Sequence, residues 1–211
     1  MYKRQVLAVK PQQMHEVASK LANVLTSQLL ISIAAGIRAV DIARWANCST
    51  IVRAMPNTPA LIRSGVTGLY ALPAVNEAHK HAAQSILTAV GSTVWLENET
   101  MLDAVTAVSG SGPAYVFYFM EAMQQAAREL GFNEADAKSL VLATFLGATK
   151  LAESTDDDVA TLRARVTSKN GTTERALLSM ESDHVKQHIV AALHAAHQRS
   201  IEMGDELGKA G

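Results

Sequence analysis

Short apolar segments alternate with stretches of helical periodicity over the first half of the chain. Residues 6–9 and 29–34 are rich in β-branched and aliphatic side chains and are predicted to be strands, whereas residues 12–25 carry apolar side chains at helical spacing. A third strand is predicted at residues 50–54, and the alternation continues to residue 96. Continuous apolar strands separated by helices favour a parallel sheet that is covered by helices on both faces.

The strand pattern ends near residue 97, and the periodicity beyond it is helical throughout. Gly131 is typical of a helix end, and Asn133 and Asp158 are suited to cap the helices that follow them. The pattern therefore predicts an α/β part over residues 1–97, followed by an all-helical part over residues 98–211.

Composition argues against several kinds of partner and site. The formal net charge is −1 and aromatic residues make up 5% of the chain, whereas surfaces for nucleic acid or anionic membranes are expected to be basic. No apolar run of the sequence is long enough to span a bilayer. The seven histidines show no metal-ligand spacing, so no metal site is expected. Cys48 is the only cysteine of the sequence, which favours a reducing, cytoplasmic location.

The stretch SGSGPAYV, residues 109–116, contains half of the glycine signature of dinucleotide-binding loops. A complete loop follows a strand and reads G-x-G-x-x-G, but Tyr115 stands where the third glycine belongs and residues 101–108 have helical periodicity. We therefore interpret residues 109–116 as a tight connection between two helices. No other stretch of the sequence supplies a glycine-rich phosphate loop.

A second loop, within VTSKNGTTERAL at residues 166–177, has the composition of an anion site. Asn170 and Gly171 tolerate positive φ, and Thr172 and Thr173 then stand at a helix start with their amides and hydroxyls. Free amides at a helix N-terminus and the helix dipole both favour an anion such as a carboxylate. An ordinary capped helix would explain the same residues, and the pattern alone leaves both interpretations open.

Three small or proline-containing loops follow the three predicted strands. They are AVKP at residues 8–11, AAG at residues 34–36 and MPNTP at residues 55–59. Ligands of open parallel sheets bind beyond the carboxyl ends of the strands. These loops are therefore predicted to line one crevice.

Taken together in this order, AVKP, SIAAGI, RAMPNTPA, DAVTAVSGSGPAYVF and VTSKNGTTERAL resemble the pyrroline-5-carboxylate reductase family over nearly the whole chain from Val6. The resemblance implies a Rossmann-type NAD(P)H-binding domain at residues 1–97 and a helical dimerisation and substrate-binding domain at residues 98–211. It implies reduction of Δ1-pyrroline-5-carboxylate to L-proline, the last step of proline biosynthesis, with NADPH or NADH as cofactor. The implied assembly is a homodimer, or an oligomer of dimers.

The resemblance also implies which residues form the site. The family's cofactor-binding positions fall on Ala8, Val9, Lys10, Pro11, Ala34, Ala35, Met55, Pro56 and Asn57. Its substrate-binding positions fall on Glu99, Arg165, Ser168, Gly171, Thr172 and Thr173, and Thr173 takes the catalytic position beside the ring nitrogen. The family usually reads S-P-G-G-T-T where this chain reads SKNGTT. Asn170 is the best non-glycine residue for a left-handed position, so the loop is expected to keep its shape.

Two other functions are compatible with parts of the sequence. A β-hydroxyacid dehydrogenase would place a catalytic lysine on a helix of its second domain, where Lys138 and Lys150 are available in a surrounding pattern that does not match. A non-catalytic dimerisation module would require neither a lysine nor a cofactor. A lysine scan with activity separates the first from a pyrroline-5-carboxylate reductase, and cofactor binding separates the second.

The resemblance implies a strand and a glycine-rich phosphate loop ahead of AVKP that this sequence does not contain, so the chain resembles an N-terminally truncated and inactive reductase. We predict that the 211-residue chain binds NADPH weakly and forms no proline, because the pyrophosphate is normally held by amides of a glycine-rich strand-to-helix turn. Titration with NADPH, followed by fluorescence or calorimetry, measures the affinity. Micromolar binding, or measurable reduction of pyrroline-5-carboxylate, contradicts this prediction.

Overall fold

The computed structural model of the chain describes residues 4–25 and 28–209, and a five-stranded sheet lies at its centre. The strands are β1 (Arg4–Leu7), β2 (Leu29–Ser32), β3 (Ile51–Met55), β4 (Gly65–Ala71) and β5 (Gly91–Trp95). The helices are α1 (Met14–Leu21), α2 (Ala39–Ala46), α3 (Glu77–Leu87), α4 (Met101–Val105), α5 (Gly112–Glu129), α6 (Glu134–Glu153), α7 (Val159–Arg165), α8 (Thr172–Ser182) and α9 (Val185–Gly208). This order confirms an α/β part followed by a helical part.

The sheet has the strand order β1-β2-β3-β4-β5, and three of its four pairings are parallel. The exception is β4, which runs antiparallel to β3 and pairs Met55 with Gly68. A parallel crossover needs about a dozen residues or more, and residues 56–64 between these strands are too few for one. The predicted parallel sheet is confirmed for the other pairings, and β3–β4 is its antiparallel exception.

The core of the sheet lies at β2 and β3. All four residues of β2 are buried, and the apolar residues of α1, α2 and α3 pack around them. Strand β1 pairs with β2 and, within the described residues, with no strand on its other side. Val6 on this edge strand is 47% exposed, which agrees with the prediction that residues 6–9 form an exposed apolar edge in this chain. Ala8 and Val9 follow the strand instead of belonging to it.

Side-chain caps hold several helix starts where the sequence predicts them. Asn133 Oδ1 accepts a hydrogen bond from the Asp136 amide at 2.9 Å, and Asp158 Oδ1 accepts one from the Thr161 amide at 2.8 Å. The bond from Thr161 lowers the pKa of the Asp158 carboxyl below its usual value. Gly131 has a φ of 102°, which confirms it as the end of α5.

The SGSGPAYV stretch is helical on both sides, as interpreted from its sequence. Helix α4 continues into a π-helical turn, Thr106–Gly110, and α5 begins at Gly112. The Ser111 amide donates to the Thr106 carbonyl at 2.8 Å, so the chain passes from one helix to the next without an extended loop. A strand-to-helix phosphate turn is therefore not formed here.

The chain forms two compact units. The first comprises Met1–Pro113 and Ala192–Gly211, and the second comprises Ala114–Ala191. The end of α9 is part of the first unit, where Ser200 Oγ donates to Asp103 Oδ1 at 2.7 Å and Arg38 pairs with Asp205. The hydrogen bond from the Arg38 guanidinium to the Asp205 carboxylate raises the pKa of Arg38 above its usual value. The compact units divide after Pro113 and after Ala191. The predicted domain boundary between residues 97 and 98 stays a prediction.

The second unit leaves much apolar surface uncovered. Among residues 114–191, Ala137 and Val141 are the only buried positions, whereas Phe117 is 63% exposed and Tyr118 is 70% exposed. Solvent-exposed apolar side chains of this size are seldom clustered on the helices of a lone domain. Over the described residues, no helix is both long enough and apolar enough to cross a membrane.

Candidate functional site

The proposed cofactor residues lie beyond the carboxyl ends of three adjacent parallel strands. Because β1, β2 and β3 run in the same direction, the loops that follow them emerge at one edge of the sheet. The Ile33 amide donates to the Leu7 carbonyl at 3.1 Å and ties the first two loops together. The residues at this edge are Ala8, Val9, Lys10, Pro11, Ala34, Ala35, Met55, Pro56 and Asn57. The structure therefore brings together the three loops that the sequence identified, and their contact with a cofactor stays a prediction.

The loop after β2 is built from small residues and folds back on its own strand. Ala34 is buried and its amide hydrogen-bonds to Ser32 Oγ at 3.3 Å, so the loop after β2 folds back on its own strand. Gly36 has a φ of 70°, a conformation that favours glycine. A glycine-rich turn for the pyrophosphate is not found among residues 4–25 and 28–209.

The turn after β3 is held by its own asparagine. Asn57 Oδ1 accepts a hydrogen bond from the Val66 amide at 2.9 Å, which links the start of the turn to β4. Gly65 allows the backbone of Ala60 to approach closely, because a Cβ at Gly65 would lie 2.8 Å from the Ala60 nitrogen. The side chain of Asn57 is thus engaged within the turn.

Glu99 makes contacts that its sequence position does not reveal. Its Oε1 accepts hydrogen bonds from Arg53 Nη1 at 3.0 Å and from the Ala39 amide at 2.6 Å. The sequence suggested a substrate contact for Glu99, whereas the structure shows an internal ion pair with a buried arginine. Contact of Glu99 with substrate therefore stays a prediction, and its partner Arg53 is a residue that the sequence reasoning missed. An arginine in the middle of the apolar run TIVRAM was the signal that could have identified it.

A second contact with the β3 turn comes from the π-helical turn. A Cβ at Gly110 would lie 2.7 Å from Met55 Cε, so the two segments approach closely at this glycine, and a larger residue would displace the end of the Met55 side chain. Gly110 therefore packs against β3, whereas a Cβ at Gly112 would meet no atom of the described residues within 4 Å. The sequence of residues 109–116 predicts a connection between helices, which the structure has, whereas the contact of Gly110 with Met55 depends on tertiary structure.

The SKNGTT loop forms a tight turn ahead of α8. Asn170 has a φ of 62°, as its residue type predicts, and its amide donates to Glu174 Oε2 at 2.7 Å. The Gly171 amide donates to the Ser168 carbonyl at 3.0 Å, which closes the turn. Gly171 itself has a φ of −86°, so the expectation of positive φ at this glycine is wrong. Its role is steric, because a Cβ there would lie 2.4 Å from Ser168 Oγ.

The start of α8 offers unpaired hydrogen-bond donors. Gly171 occupies the N-cap position without a side-chain cap, and the amides of Thr172, Thr173 and Glu174 make no hydrogen bond within the described residues. Such amides, with the helix dipole, are suited to a carboxylate. The Glu174 carboxylate is drawn back to the Asn170 amide. Thr173 is half-buried, and Thr172 and Ser168 are exposed.

Arg165 ends α7 just before this loop and is engaged by a carboxylate. Both oxygens of Asp157 accept from its guanidinium, with Nη2 to Oδ1 at 3.0 Å, and Thr155 Oγ1 lies 2.9 Å from Asp157 Oδ2. A bidentate pair of this kind fixes the guanidinium in one orientation. Contact of Arg165 with substrate stays a prediction.

The expected site residues are divided between the compact units. Those for the cofactor and Glu99 belong to the first unit, and Arg165 and the SKNGTT loop belong to the second. Within the described residues, no cluster of three or more His, Cys, Asp or Glu side chains could hold a metal ion.

A mostly parallel five-stranded sheet with helices, followed by a helical region, places the chain in the Rossmann-like α/β class of fold. A family model described as pyrroline-5-carboxylate reductase dimerisation matches residues 99–203. The chain is 48% identical over 206 residues to a pyrroline-5-carboxylate reductase of Pseudomonas aeruginosa, and the match covers 97% of this chain and 76% of that protein.

Solved structures agree with this relationship. A pyrroline-5-carboxylate reductase from Coxiella burnetii has 43% identity and a TM-score of 0.89, with 95% of this chain and 76% of that chain covered. A pyrroline carboxylate reductase from Plasmodium falciparum with NADP bound has 32% identity and a TM-score of 0.90, with 96% and 77% covered. The chain belongs to the pyrroline-5-carboxylate reductase family. Membership of this family excludes the alternative that the chain is a β-hydroxyacid dehydrogenase.

We predict that Gly171→Ala destabilises the fold by about 1–3 kcal/mol, because an added methyl group overpacks against Ser168. Adding Ser168→Ala removes the nearest clashing atom and should restore most of the loss. Urea unfolding measures both variants. Gly147→Ala is the control, since a Cβ there meets no atom of the described residues within 4 Å. If Ser168→Ala restores nothing, the steric explanation for Gly171 is wrong.

Proposed function

We propose that this protein reduces Δ1-pyrroline-5-carboxylate to L-proline, the last step of proline biosynthesis, with NADPH or NADH as the hydride donor. The observation that carries the proposal is the 48% identity to a pyrroline-5-carboxylate reductase over 97% of the chain. The geometry supports it with three loops gathered at one edge of the sheet, beyond β1, β2 and β3, and with a helix start suited to a carboxylate. NADP in the Plasmodium relative supports this choice of cofactor.

The first unit supplies the residues that would hold the nicotinamide end of the cofactor. These residues are Ala8–Pro11, Ala34–Ala35 and Met55–Asn57, which lie together at the carboxyl ends of β1, β2 and β3. The cofactor supplies the hydride, and the protein orients and shields the reacting faces. Reactions of this kind depend on holding two flat rings face to face, so the precise position of these loops matters more than their polarity.

The SKNGTT loop supplies the substrate anchor. The substrate carboxylate accepts hydrogen bonds from the free amides at the start of α8, in the turn formed by Ser168, Gly171 and Thr172. Glu174 lies one residue beyond Thr173, and its carboxylate is held by the Asn170 amide, 2.7 Å away, which keeps it from the free donors. One end of the substrate ring is thereby fixed.

Thr173 is proposed as the group beside the ring nitrogen. The imine is a good hydride acceptor in its protonated form, and addition of the hydride to carbon turns that nitrogen into an amine of the product. A hydroxyl can hydrogen-bond to the nitrogen as its basicity rises, so its contribution grows along the reaction coordinate. No other side chain is required to transfer a proton.

We also propose a domain boundary between residues 97 and 98 and a cytoplasmic location. The boundary is supported by the family model, which begins its match at residue 99. The location is supported by the single cysteine, Cys48, which cannot form an internal disulfide. Both fit an enzyme of amino-acid biosynthesis.

The helical unit is proposed to form a homodimer. Its apolar side chains are exposed on several helices, including Phe117 on α5, Leu146 on α6 and Met180 on α8. Burial of one such side chain is worth about 1.5–3 kcal/mol, so a second copy of this surface would be stabilised by covering it. The description of the matched family model as a dimerisation unit supports this proposal.

We predict that Thr173→Ala lowers kcat/KM with little change in cofactor affinity, because the ring nitrogen loses its hydrogen-bond partner. The corresponding loss of transition-state stabilisation is on the order of 1–3 kcal/mol. Thr173→Ser keeps the hydroxyl and should retain most of the activity. Thr149→Ala, on the exposed side of α6, is the control. The variants are assayed in the chain preceded by the strand and glycine-rich loop that the family resemblance implies. Unchanged proline formation in Thr173→Ala would remove Thr173 from the mechanism.

We predict a dimeric mass for the 211-residue chain in dilute solution, measured by light scattering after size exclusion. Phe117→Glu should shift the protein toward monomer, because a buried carboxylate without a partner is costly in an apolar interface. Gln125→Ala changes a polar side chain of the same helix and should not alter the mass. A parent chain that is monomeric at all concentrations contradicts the proposal.

A further inference from the structure

We propose that Glu99 is a positioning residue. Its carboxylate fixes the position of the loop after β2 relative to strand β3 and the turn that follows β3. The inference rests on the proposed function, because those two loops are the ones expected to contact the nicotinamide. It gives Glu99 a different role from a substrate contact: its side chain acts through Ala39 and Arg53.

A single oxygen of Glu99 joins two neighbouring elements of the first unit. Glu99 Oε1 accepts from the Ala39 amide at 2.6 Å and from Arg53 Nη1 at 3.0 Å. Ala39 begins α2, where backbone amides lack a partner within the helix, and it follows directly from the loop that contains Ala34 and Ala35. Arg53 lies two residues before Met55 on β3. The carboxylate therefore links the start of α2, which follows the loop after β2, to strand β3, which precedes the Met55–Asn57 turn.

Burial makes this bridge specific. The Arg53 side chain is 3% exposed and that of Glu99 is 16% exposed, and Arg53 Nε is buried with no hydrogen-bond partner among the described residues. A buried guanidinium has few alternative partners, so its orientation follows the position of the Glu99 carboxylate. Beside the pair lies a cavity of about 400 Å³, lined in part by Arg38, Asp103 and His197, into which the side chains could relax once the bridge is lost.

The segment that begins at Glu99 touches β3 again at its other end. It continues through α4 into the π-helical turn, where Gly110 approaches Met55 Cε so closely that a Cβ would lie 2.7 Å away. Residues 99–110 thus contact β3 at Arg53 and at Met55, on either side of Ala54. A shift of this segment would move the Met55–Asn57 turn, and a displacement of about 1 Å can lower a rate by two orders of magnitude.

Stability alone does not account for the bridge. Relative to apolar side chains of similar volume, a buried ion pair often adds no net stability. The specific consequence of the Glu99 carboxylate is the simultaneous acceptance of two donors from two elements. Two variants separate geometry from charge: Glu99→Gln loses the charge but keeps an acceptor oxygen at the same reach, whereas Glu99→Ala loses both.

Amide hydrogen exchange in the 211-residue chain tests the bridge without a cofactor. In Glu99→Ala, the amides of Ala34, Ala39 and Val66 should exchange at least about tenfold faster, while the Leu30 amide in the centre of the sheet keeps its protection. Glu99→Gln should stay close to the parent chain. Glu97→Ala removes an exposed carboxylate two residues earlier and is the control. If Glu99→Ala does not fold, Glu99→Leu with Arg53→Met replaces the ion pair by apolar side chains, and the same amides are compared.

Binding of reduced nicotinamide mononucleotide, which needs only the nicotinamide edge, tests the consequence. Glu99→Ala should weaken its binding by about fivefold or more, and Glu99→Gln should restore most of that affinity. Equal losses in both variants, or loop amides that exchange in Glu99→Ala as in the parent chain, overturn the inference. So does unchanged nucleotide affinity in Glu99→Ala. The proposed function fails if the chain preceded by the strand and glycine-rich loop that the family resemblance implies binds neither this nucleotide nor NADPH, and hydrogen exchange in the 211-residue chain still decides whether the bridge exists.

Discussion

The parallel pairing of β1, β2 and β3 is the constraint on which the candidate site depends. Since these strands run in one direction, Leu7, Ser32 and Met55 end at the same edge of the sheet, and three loops that are far apart in sequence become neighbours. Each loop spans only a few residues, and none of the three forms a ligand site alone. Their proximity is a property of the sheet, and the antiparallel return of β4 then fixes the third loop through the bond from Val66 to Asn57.

The segment from Glu99 to Gly110 connects this edge to the helices that follow. Glu99 reaches the Ala39 amide and Arg53, and Gly110 admits the side chain of Met55. A π-helical turn is uncommon and is often found at functional positions. Here it lies in the same segment as the two contacts with β3, so the packing of the helical segment and the shape of the nicotinamide edge are linked physically.

The second unit shows a different balance of forces. Its helices have side-chain caps at Asn133 and Asp158 and regular backbone bonding, yet they bury very few of their own side chains. Local interactions are therefore sufficient to define each helix, whereas the apolar surface of Phe117 and its neighbours requires something else to cover it. A second copy of the same surface meets that requirement, and the α8 helix start with its free amides belongs to this unit.

Local features of the molecule followed from the sequence by itself. Alternating apolar runs predicted the strands, Asn133 and Asp158 predicted helix starts, and Asn170 predicted a left-handed residue, because these preferences act over a few neighbouring residues. The motifs in their order also identified the family. Tertiary structure alone decided the antiparallel direction of β4, the extended φ of Gly171, the burial of Arg53 and the two partners of Glu99. The burial of Arg53 and the partners of Glu99 depend on atoms brought together from distant parts of the chain, such as Ala39, Arg53 and Glu99, and no local preference of a residue encodes such an encounter.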